Sequence, residues 1–372
     1  MIRVGIAGRR GTAFYAGLRG IPEAKLVALC DLDEAWLAEE AGKNGVEKTF
    51  TRYEEMLDHV DAVVVATPMH LHGEHVISAL NAGKHVMSEV TAAVSLEQCW
   101  AIQAAHRASG KVYFFSENYC YIRENVLIHA LVEQGLFGDV YYGEGEYLHD
   151  VKHLHHNPDG SPTWRFHHQV GAPGVTYPTH SIGPVMQWFQ ARRSDERIET
   201  VVCLGSGRHT DPEHPHDDTS VALCQTTSGR LIRIRVDMMS NRPHHMTYYT
   251  LQGTTGVFES SRFPGEESRV WFGENPPTGY IGSEIHRAWE PISRYEEHLP
   301  DRWKKPPEAA LEAGHGGGDY WVVRDFIDAC LGECAPAIDI YDGLSWTAVG
   351  LCSTLSLRNG GVPVKVPDFR AS

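Results

Sequence analysis

Two groups of residues in this sequence could do chemistry: a glycine turn near the N-terminus with an acid one strand later, and a large, irregularly spaced stock of histidines and aromatics. Gly8-Arg9-Arg10-Gly11-Thr12-Ala13 follows the apolar run Val4–Ala7. Glycines at a first strand-to-helix turn let the backbone approach a pyrophosphate, whose charge then faces a helix N-terminus. Gly8, Arg9, Arg10 and Gly11 are therefore expected at the phosphates of a dinucleotide, although Arg10 stands where G-x-G-x-x-G/A has its middle glycine. Asp31 lies 23 residues after Gly8, placed to accept from ribose hydroxyls and to repel a 2′-phosphate. That favours NAD over NADP, with Asp33 as a second acid for the role. The 22 histidines and nine tryptophans suit sugar hydroxyls and apolar sugar faces.

Other chemistries find less support. His149, His153, His155, His156, His167 and His168 are of the type that binds zinc, but no regular ligand spacing appears and no metal is expected. The cysteines (Cys30, Cys99, Cys120, Cys203, Cys224, Cys330, Cys334, Cys352) form no CxxC pair and read as reduced thiols. No Ser/His/Asp or Cys/His nucleophile arrangement stands out. A formal charge of −15 argues against nucleic acid or an anionic membrane and leaves a small molecule as the partner. With no apolar stretch of about 18 residues and no secretory signal at Met1–Gly8, the expected compartment is the cytoplasm.

The elements that must position these residues fall into two groups, as 372 residues lead one to expect of a chain exceeding one core. Over residues 1–120, strand-like runs at Val4–Ala7, Leu26–Cys30, Ala62–Ala66, His85–Met87 and Val112–Phe115 alternate with helical patterns at Glu34–Ala41, Arg52–Asp58, Gly73–Ala82 and Ser95–Ser109. Alternation of this kind makes a parallel, doubly wound Rossmann sheet. Residues 121–372 begin with a helix at Asn125–Gln134. Runs at Val140–Leu148, Glu199–Leu204, Ser220–Thr226, Leu231–Met238 and Met246–Gln252 then predict a large, open, mostly antiparallel sheet in an α+β domain. Loops are expected at Asn157–Thr163, Phe263–Glu267 and Asn275–Gly279, and late helices at Asp319–Leu331 and Asp342–Leu355 are placed to pack back on the first domain. A sheet of this size would expose an apolar face, so a homodimer or homotetramer is expected.

Ala66-Thr67-Pro68-Met69-His70-Leu71-His72 and Ala82-Gly83-Lys84-His85-Val86-Met87-Ser88-Glu89 resemble the third and fourth strand ends of the Gfo/Idh/MocA oxidoreductases, loops that hold the nicotinamide half of the cofactor in that family. Most members follow the glutamate with Lys-Pro; here Glu89-Val90-Thr91-Ala92-Ala93 follows and the usual lysine is absent. That departure is similar to the Glu-Val-Pro-Ala-Ala of the NAD-dependent glycosidases of glycoside hydrolase family 109, the α-N-acetylgalactosaminidase type. Glu117-Asn118-Tyr119-Cys120-Tyr121, Tyr147-Leu148-His149-Asp150, Trp164-Arg165-Phe166-His167-His168, Tyr177-Pro178-Thr179-His180 and His315-Gly316-Gly317-Gly318-Asp319-Tyr320 resemble segments of the same branch in the same order.

The resemblance implies a redox-neutral glycoside hydrolysis: oxidation at the sugar's C3, removal of the C2 proton, loss of the aglycone, addition of water, and return of the stored hydride from the cofactor. It makes His180 the base or acid at the C3 hydroxyl. Tyr121 becomes the residue for C2 deprotonation or leaving-group assistance, which requires a neighbour or the cofactor charge to lower its hydroxyl pKa. Thr67, His70, Glu89, Asn118, Trp164, Arg165 and Tyr177 are implied for the cofactor. Glu89, Asn118, Tyr121, His149, Asp150, Tyr177, His180, His315, Asp319 and Tyr320 are implied for the sugar. An N-acetylgalactosaminide and a sulfoquinovoside both stay open, since Lys152, Arg165 and Arg242 offer charge to an anionic substituent. An NAD-dependent sugar dehydrogenase or ketosugar reductase is the alternative, and a non-catalytic sugar sensor a third reading.

Overall fold

The computed structural model describes residues 1–273 and 288–371; the loop expected at Asn275–Gly279 lies outside them. It divides into two compact units: residues 1–122, 307–348 and 368–372 form the first, and residues 123–306 and 349–367 the second. The division is discontinuous in sequence: residues 307–348, which include the helix at Gly318–Leu331, belong to the first unit.

In the first unit, strands β1 (Ile2–Ala7), β2 (Ala24–Cys30), β3 (Lys48–Phe50), β4 (Ala62–Val65), β5 (His85–Ser88) and β6 (Tyr113–Phe115) form a parallel sheet in the order β3-β2-β1-β4-β5-β6. That is the doubly wound order in which the strand order, not the strand direction, reverses between β1 and β4. The all-apolar β4, Ala-Val-Val-Val, is buried along its length, as a strand covered on both faces must be. Local chemistry sets the helix ends. Asp33 caps the helix Glu34–Asn44 by accepting from Trp36 N, and left-handed Gly45 ends it. Ser95 and Gly110 do the same for the helix Leu96–Ser109. The strand Lys48–Phe50, three residues at the sheet edge, gave no readable alternation in the sequence.

In the second unit, nine strands form a mixed sheet: β7 (Val140–Leu148), β8 (Ile198–Gly205), β9 (Thr219–Thr226), β10 (Leu231–Asp237), β11 (His245–Gly253), β12 (Gly256–Glu259), β13 (Arg269–Phe272), β14 (Glu290–Pro291) and β15 (Val364–Lys365). Among the described residues of this sheet, β10 beside β7 is the one parallel pairing and the others are antiparallel. Burial alternates along β9 and β10, so one face carries the core.

A helix not read from the sequence, Thr179–Gln190, packs on that face. Its sequence contains Pro184, which removes an N–H that would have bonded to the carbonyl of residue 180. The Tyr249 hydroxyl donates to the His180 carbonyl instead, at 2.5 Å. The helix sits close to the sheet because β7 reads Gly143-Glu144-Gly145 beneath it. A Cβ on Gly145 would stand 1.8 Å from the Ser181 carbonyl oxygen, and one on Gly143 2.6 Å from Val185 Cγ1.

Candidate active site

In the first unit the glycine turn has the shape a dinucleotide requires. Gly8 has φ +94°, and a Cβ there would lie 2.3 Å from the Ala66 carbonyl oxygen. Gly11 is equally confined, with Ile6 Cγ2 2.3 Å from its would-be Cβ. The turn continues as a 3-10 segment, Arg9–Phe14, before the helix Tyr15–Gly20. Its two arginines diverge. Arg9 pairs with Asp33, lies 3.9 Å from Asp31, and rests near the Trp36 ring. Arg10 reaches the other way, its Nε 3.5 Å from Glu89 Oε1. Asp33 is held below the usual carboxylate range, chiefly by the Trp36 backbone N–H it accepts and further by Arg9, so it serves the helix cap while Asp31 remains beside the end of β2. These confined glycines, the arginines and the acid just after β2 fit NAD.

Thr67 follows β4 and its hydroxyl is 3.0 Å from His75 Nδ1; His70 stands half-buried on the turn Met69–Leu71. Buried His72, a residue whose role sequence reasoning missed, lies 2.7 Å from both the Thr67 and the Thr91 carbonyls. It thereby ties the loop after β4 to the segment after Glu89. The Val90–Thr91 peptide is cis.

A second polar group in the same unit gathers residues from both ends of the sequence. Asn118 Nδ2 donates to Asp319 Oδ1 at 2.9 Å, and His315 Nδ1 is 3.0 Å from Asp319 Oδ2. His315 has φ +53°, a left-handed backbone rare outside glycine, and Gly316 and Gly317 continue it. The hydrogen bond and charge of Asp319 push the imidazole above its ordinary value. Asp319 itself is driven up by burial, but its bonds to His315 and Asn118 outweigh that and hold it below the carboxylate range. Tyr121, also buried, donates to Asp325 Oδ2 at 2.9 Å. The neighbour the structure supplies thus accepts the phenol's hydrogen bond, the opposite of the cation that proton abstraction would call for. Tyr320 does not join this cluster: its ring meets Trp321 and lies against Gly20.

The second unit carries a site made mainly of rings. His180, in the first turn of Thr179–Gln190, is nearly buried, its imidazole 5.1 Å between centroids from each of Tyr147 and Tyr177. The Tyr147 hydroxyl is 2.7 Å from His149 Nδ1, and His149 meets His244 edge-on at 4.5 Å. Burial, and then the neighbouring His244 and Arg165, pull His149 down to about 4, so it is a neutral imidazole at pH 7. Arg165 stacks on Trp164 at 4.5 Å and donates to Gln169, which puts both residues in this unit. Asp150 pairs with Lys152 at 2.8 Å, and Arg242 is exposed. Tyr147 stood in the block Tyr147–Asp150 but was given no role there, and His244 was missed because it belongs to no block with a distinctive spacing.

Among the described residues, no group of three or more His, Cys, Asp or Glu could hold a metal ion, and no helix is long and apolar enough to cross a membrane. Residues 121–372 match the family model of the glycosyl hydrolase 109 C-terminal domain. The chain belongs to glycosyl hydrolase family 109. Residues 2–117 match the oxidoreductase family with an NAD-binding Rossmann fold, so this family 109 member is an enzyme whose cofactor is NAD. It is 29% identical to a glycosyl hydrolase family 109 protein of Solibacter usitatus, over 99% of this chain and 88% of that one. It is also 29% identical to the alpha-N-acetylgalactosaminidase of Shewanella oneidensis, over 99% and 85%. Among solved structures, levoglucosan dehydrogenase in complex with NADH is similar in fold, with TM-score 0.78, 21% identity and 99% of each chain covered. So is scyllo-inositol dehydrogenase from Lactobacillus casei with NAD(H) and scyllo-inositol, at TM-score 0.72, 20% identity, and 98% and 99% coverage.

Proposed function

We propose that this enzyme hydrolyses a glycoside by transient oxidation at C3 of the sugar, with an N-acetylgalactosaminide or a sulfoquinovoside as substrate. The observation that carries the reading is the pairing of an NAD-binding unit with the family 109 C-terminal domain in one chain. NAD, when bound, supplies a hydride acceptor that can return what it takes. The residues do the rest.

Gly8, Gly11, Arg9 and Asp31 bind the phosphates and ribose, while Arg10 orients Glu89 toward the nicotinamide ribose or a sugar hydroxyl. His180 takes the proton of the C3 hydroxyl and gives it back when the ketone is reduced; the tyrosines around it fix the ring and exclude water. The ketone makes the C2 proton acidic. Tyr121 is the residue assigned to that proton or to the leaving oxygen; Asp325 accepts its hydrogen bond and fixes the hydroxyl, so the charge that would favour its phenolate is left to the bound cofactor rather than to Asp325. The Asn118–His315–Asp319 group and His149 bind sugar hydroxyls, each as a group that loses a hydrogen bond if truncated.

Leu204, Leu223 and Leu231 are exposed on β8, β9 and β10, which supports a homodimer or homotetramer through this sheet; the cytoplasm is the proposed compartment. The test is stoichiometric. With substoichiometric NAD, many equivalents of aglycone should be released per cofactor without net NADH. One NADH formed per sugar consumed, with no aglycone released, makes the protein a sugar dehydrogenase instead.

A further inference from the structure

We propose that a cavity at the C-terminal end of the helix Thr179–Gln190 binds a phosphate monoester. The cavity, about 510 Å³, belongs wholly to the second unit. It lies between the last turns of the helices Arg123–Glu133 and Thr179–Gln190, the start of β7 and the turn before β10. Its size falls in the roughly 300–1,000 Å³ range of small-molecule sites.

This is not the sugar site. His180 stands in the first turn of its helix and Trp188 and Phe189, which line the cavity, in the last, roughly 14 Å away along the axis at about 1.5 Å per residue. Val140, at the cavity, begins the strand whose far end brings Tyr147 to His180. The inference is therefore independent of the glycosidase reading.

Charge chooses the ligand. In a chain of formal charge −15, three arginines, Arg192, Arg193 and Arg230, line this cavity against a single carboxylate, Asp139. Arg230 is fixed from two sides: its side chain is 8% exposed, with Nη2 2.5 Å from Asp139 Oδ1 and Nε 3.6 Å from Glu196 Oε2. The buried Glu196 carboxylate also accepts from Thr227 Oγ1 at 3.0 Å and from Ser228 N at 3.1 Å. Arg193 Nη2 shares the same Asp139 oxygen at 3.2 Å. Arg192 is exposed and, among the described residues, has no carboxylate partner; its Nη1 lies over Gly135, 3.2 Å from where a Cβ would stand. Three guanidinium groups against Asp139 and Glu196 leave a positive charge uncompensated. The negative end of a helix dipole accounts for arginines just after Gln190. It does not account for Arg230, which comes from the turn between β9 and β10.

Three guanidinium forks approaching from different elements suit a tetrahedral phosphate, which offers each an oxygen, better than a planar carboxylate. The inner wall is apolar: Val132, Val140, Trp188 and Phe189 are all buried, and Trp188 Nε1 already donates to the Asn125 carbonyl at 3.0 Å. Charge pairs beside such a wall are stronger than in water. The volume left beyond one phosphate takes the carbon chain of the ester.

The test uses NAD-saturated enzyme, so that the cofactor turn is occupied, and glycerol 3-phosphate as the probe, which has no sugar ring to compete for the site of His180. Calorimetric titration should show saturable binding to a single site, with glycerol giving none and inorganic phosphate binding more weakly. Arg192→Ala should weaken the probe about tenfold or more, the loss of one charge-assisted hydrogen bond, and Arg192→Glu should abolish binding. Both variants should keep the wild-type urea midpoint, because Arg192 is exposed. No binding by the wild type, or the same affinity in the wild type and both variants, overturns the site. Inorganic phosphate bound as tightly as glycerol 3-phosphate overturns the ester as its ligand. Because binding is read rather than turnover, these outcomes are separate from failure of the glycosidase reading.

Discussion

The two units build their polar sites by opposite means. The first uses charge: Arg9 with Asp33, Arg10 with Glu89, and His315 with Asp319 and Asn118, each group held by a partner of the other kind. The second uses rings, with His180 and His149 set among Tyr147, Tyr177 and His244 and with His149 kept neutral by burial. A fixed charged cradle suits a charged cofactor that is always the same. A neutral aromatic pocket suits a sugar, whose hydroxyls need hydrogen bonds and whose apolar face needs rings.

The sharpest break in this comparison would come at His180. His180→Ala should lower kcat by 10²–10⁴-fold, the range of one general acid–base group, while leaving the Kd for NAD within about threefold, measured by fluorescence titration. A loss below tenfold would move the proton transfer elsewhere.

Next in size is Gly145→Ala. Its methyl group would meet the Ser181 carbonyl oxygen, lifting the helix that carries His180 at a cost of about 1–3 kcal/mol or more, read as a lower urea midpoint together with reduced kcat. An unchanged midpoint would mean that the close approach of helix and strand does not matter.

The units should also respond oppositely to acid. His315 is raised by Asp319, so its contribution is complete below the ordinary histidine value near 6.5 and is lost as pH rises through its higher folded value. Asp319 is lowered, so its contribution is complete above the ordinary aspartate value near 3.9 and lost as pH falls through its folded value. Both are present between roughly pH 4 and 6.5. His149 and His155 are pulled down to about 4; their neutral burial is fully favourable above roughly 6.5 and is lost as pH falls toward 4. Between pH 7.5 and 5.5, amide hydrogen exchange corrected for intrinsic rate should slow around residues 315–319 and quicken around 149–156. The same direction in both segments would contradict the contrast.

The smallest effect belongs to Arg9→Ala, which removes an exposed ion pair. The urea midpoint should be almost unchanged, since exposed ion pairs add little to stability, with the Kd for NAD rising a few-fold.

These contrasts explain which parts of the molecule were legible in the sequence. The first unit's strands and turn were readable because each is local: an apolar run, a glycine, an acid 23 residues on. The helix Thr179–Gln190 was not, because Gly183 and Pro184 argue against a helix until Tyr249, far along the chain, takes the carbonyl that Pro184 leaves. His180 was found only through the block Tyr177–His180, since one histidine among 22 has no spacing to mark it. The roles of Tyr147 and Asp325 escaped: Tyr147, though part of the block Tyr147–Asp150, looks like any inward residue of a strand, and Asp325 like any acid on a helix, until their partners His149 and Tyr121 are seen beside them.

The central claim is that oxidation and reduction both occur on the sugar within one turnover. The direct measurement is hydrolysis of p-nitrophenyl α- and β-glycosides, N-acetylgalactosaminide and sulfoquinovoside included, with NAD in deuterated water, following nitrophenol, NADH and deuterium at C2 together. The account predicts nitrophenol release with deuterium at C2 and no accumulated NADH. Nitrophenol released without deuterium at C2 would contradict it, because a glycosidic bond cut directly leaves that proton untouched.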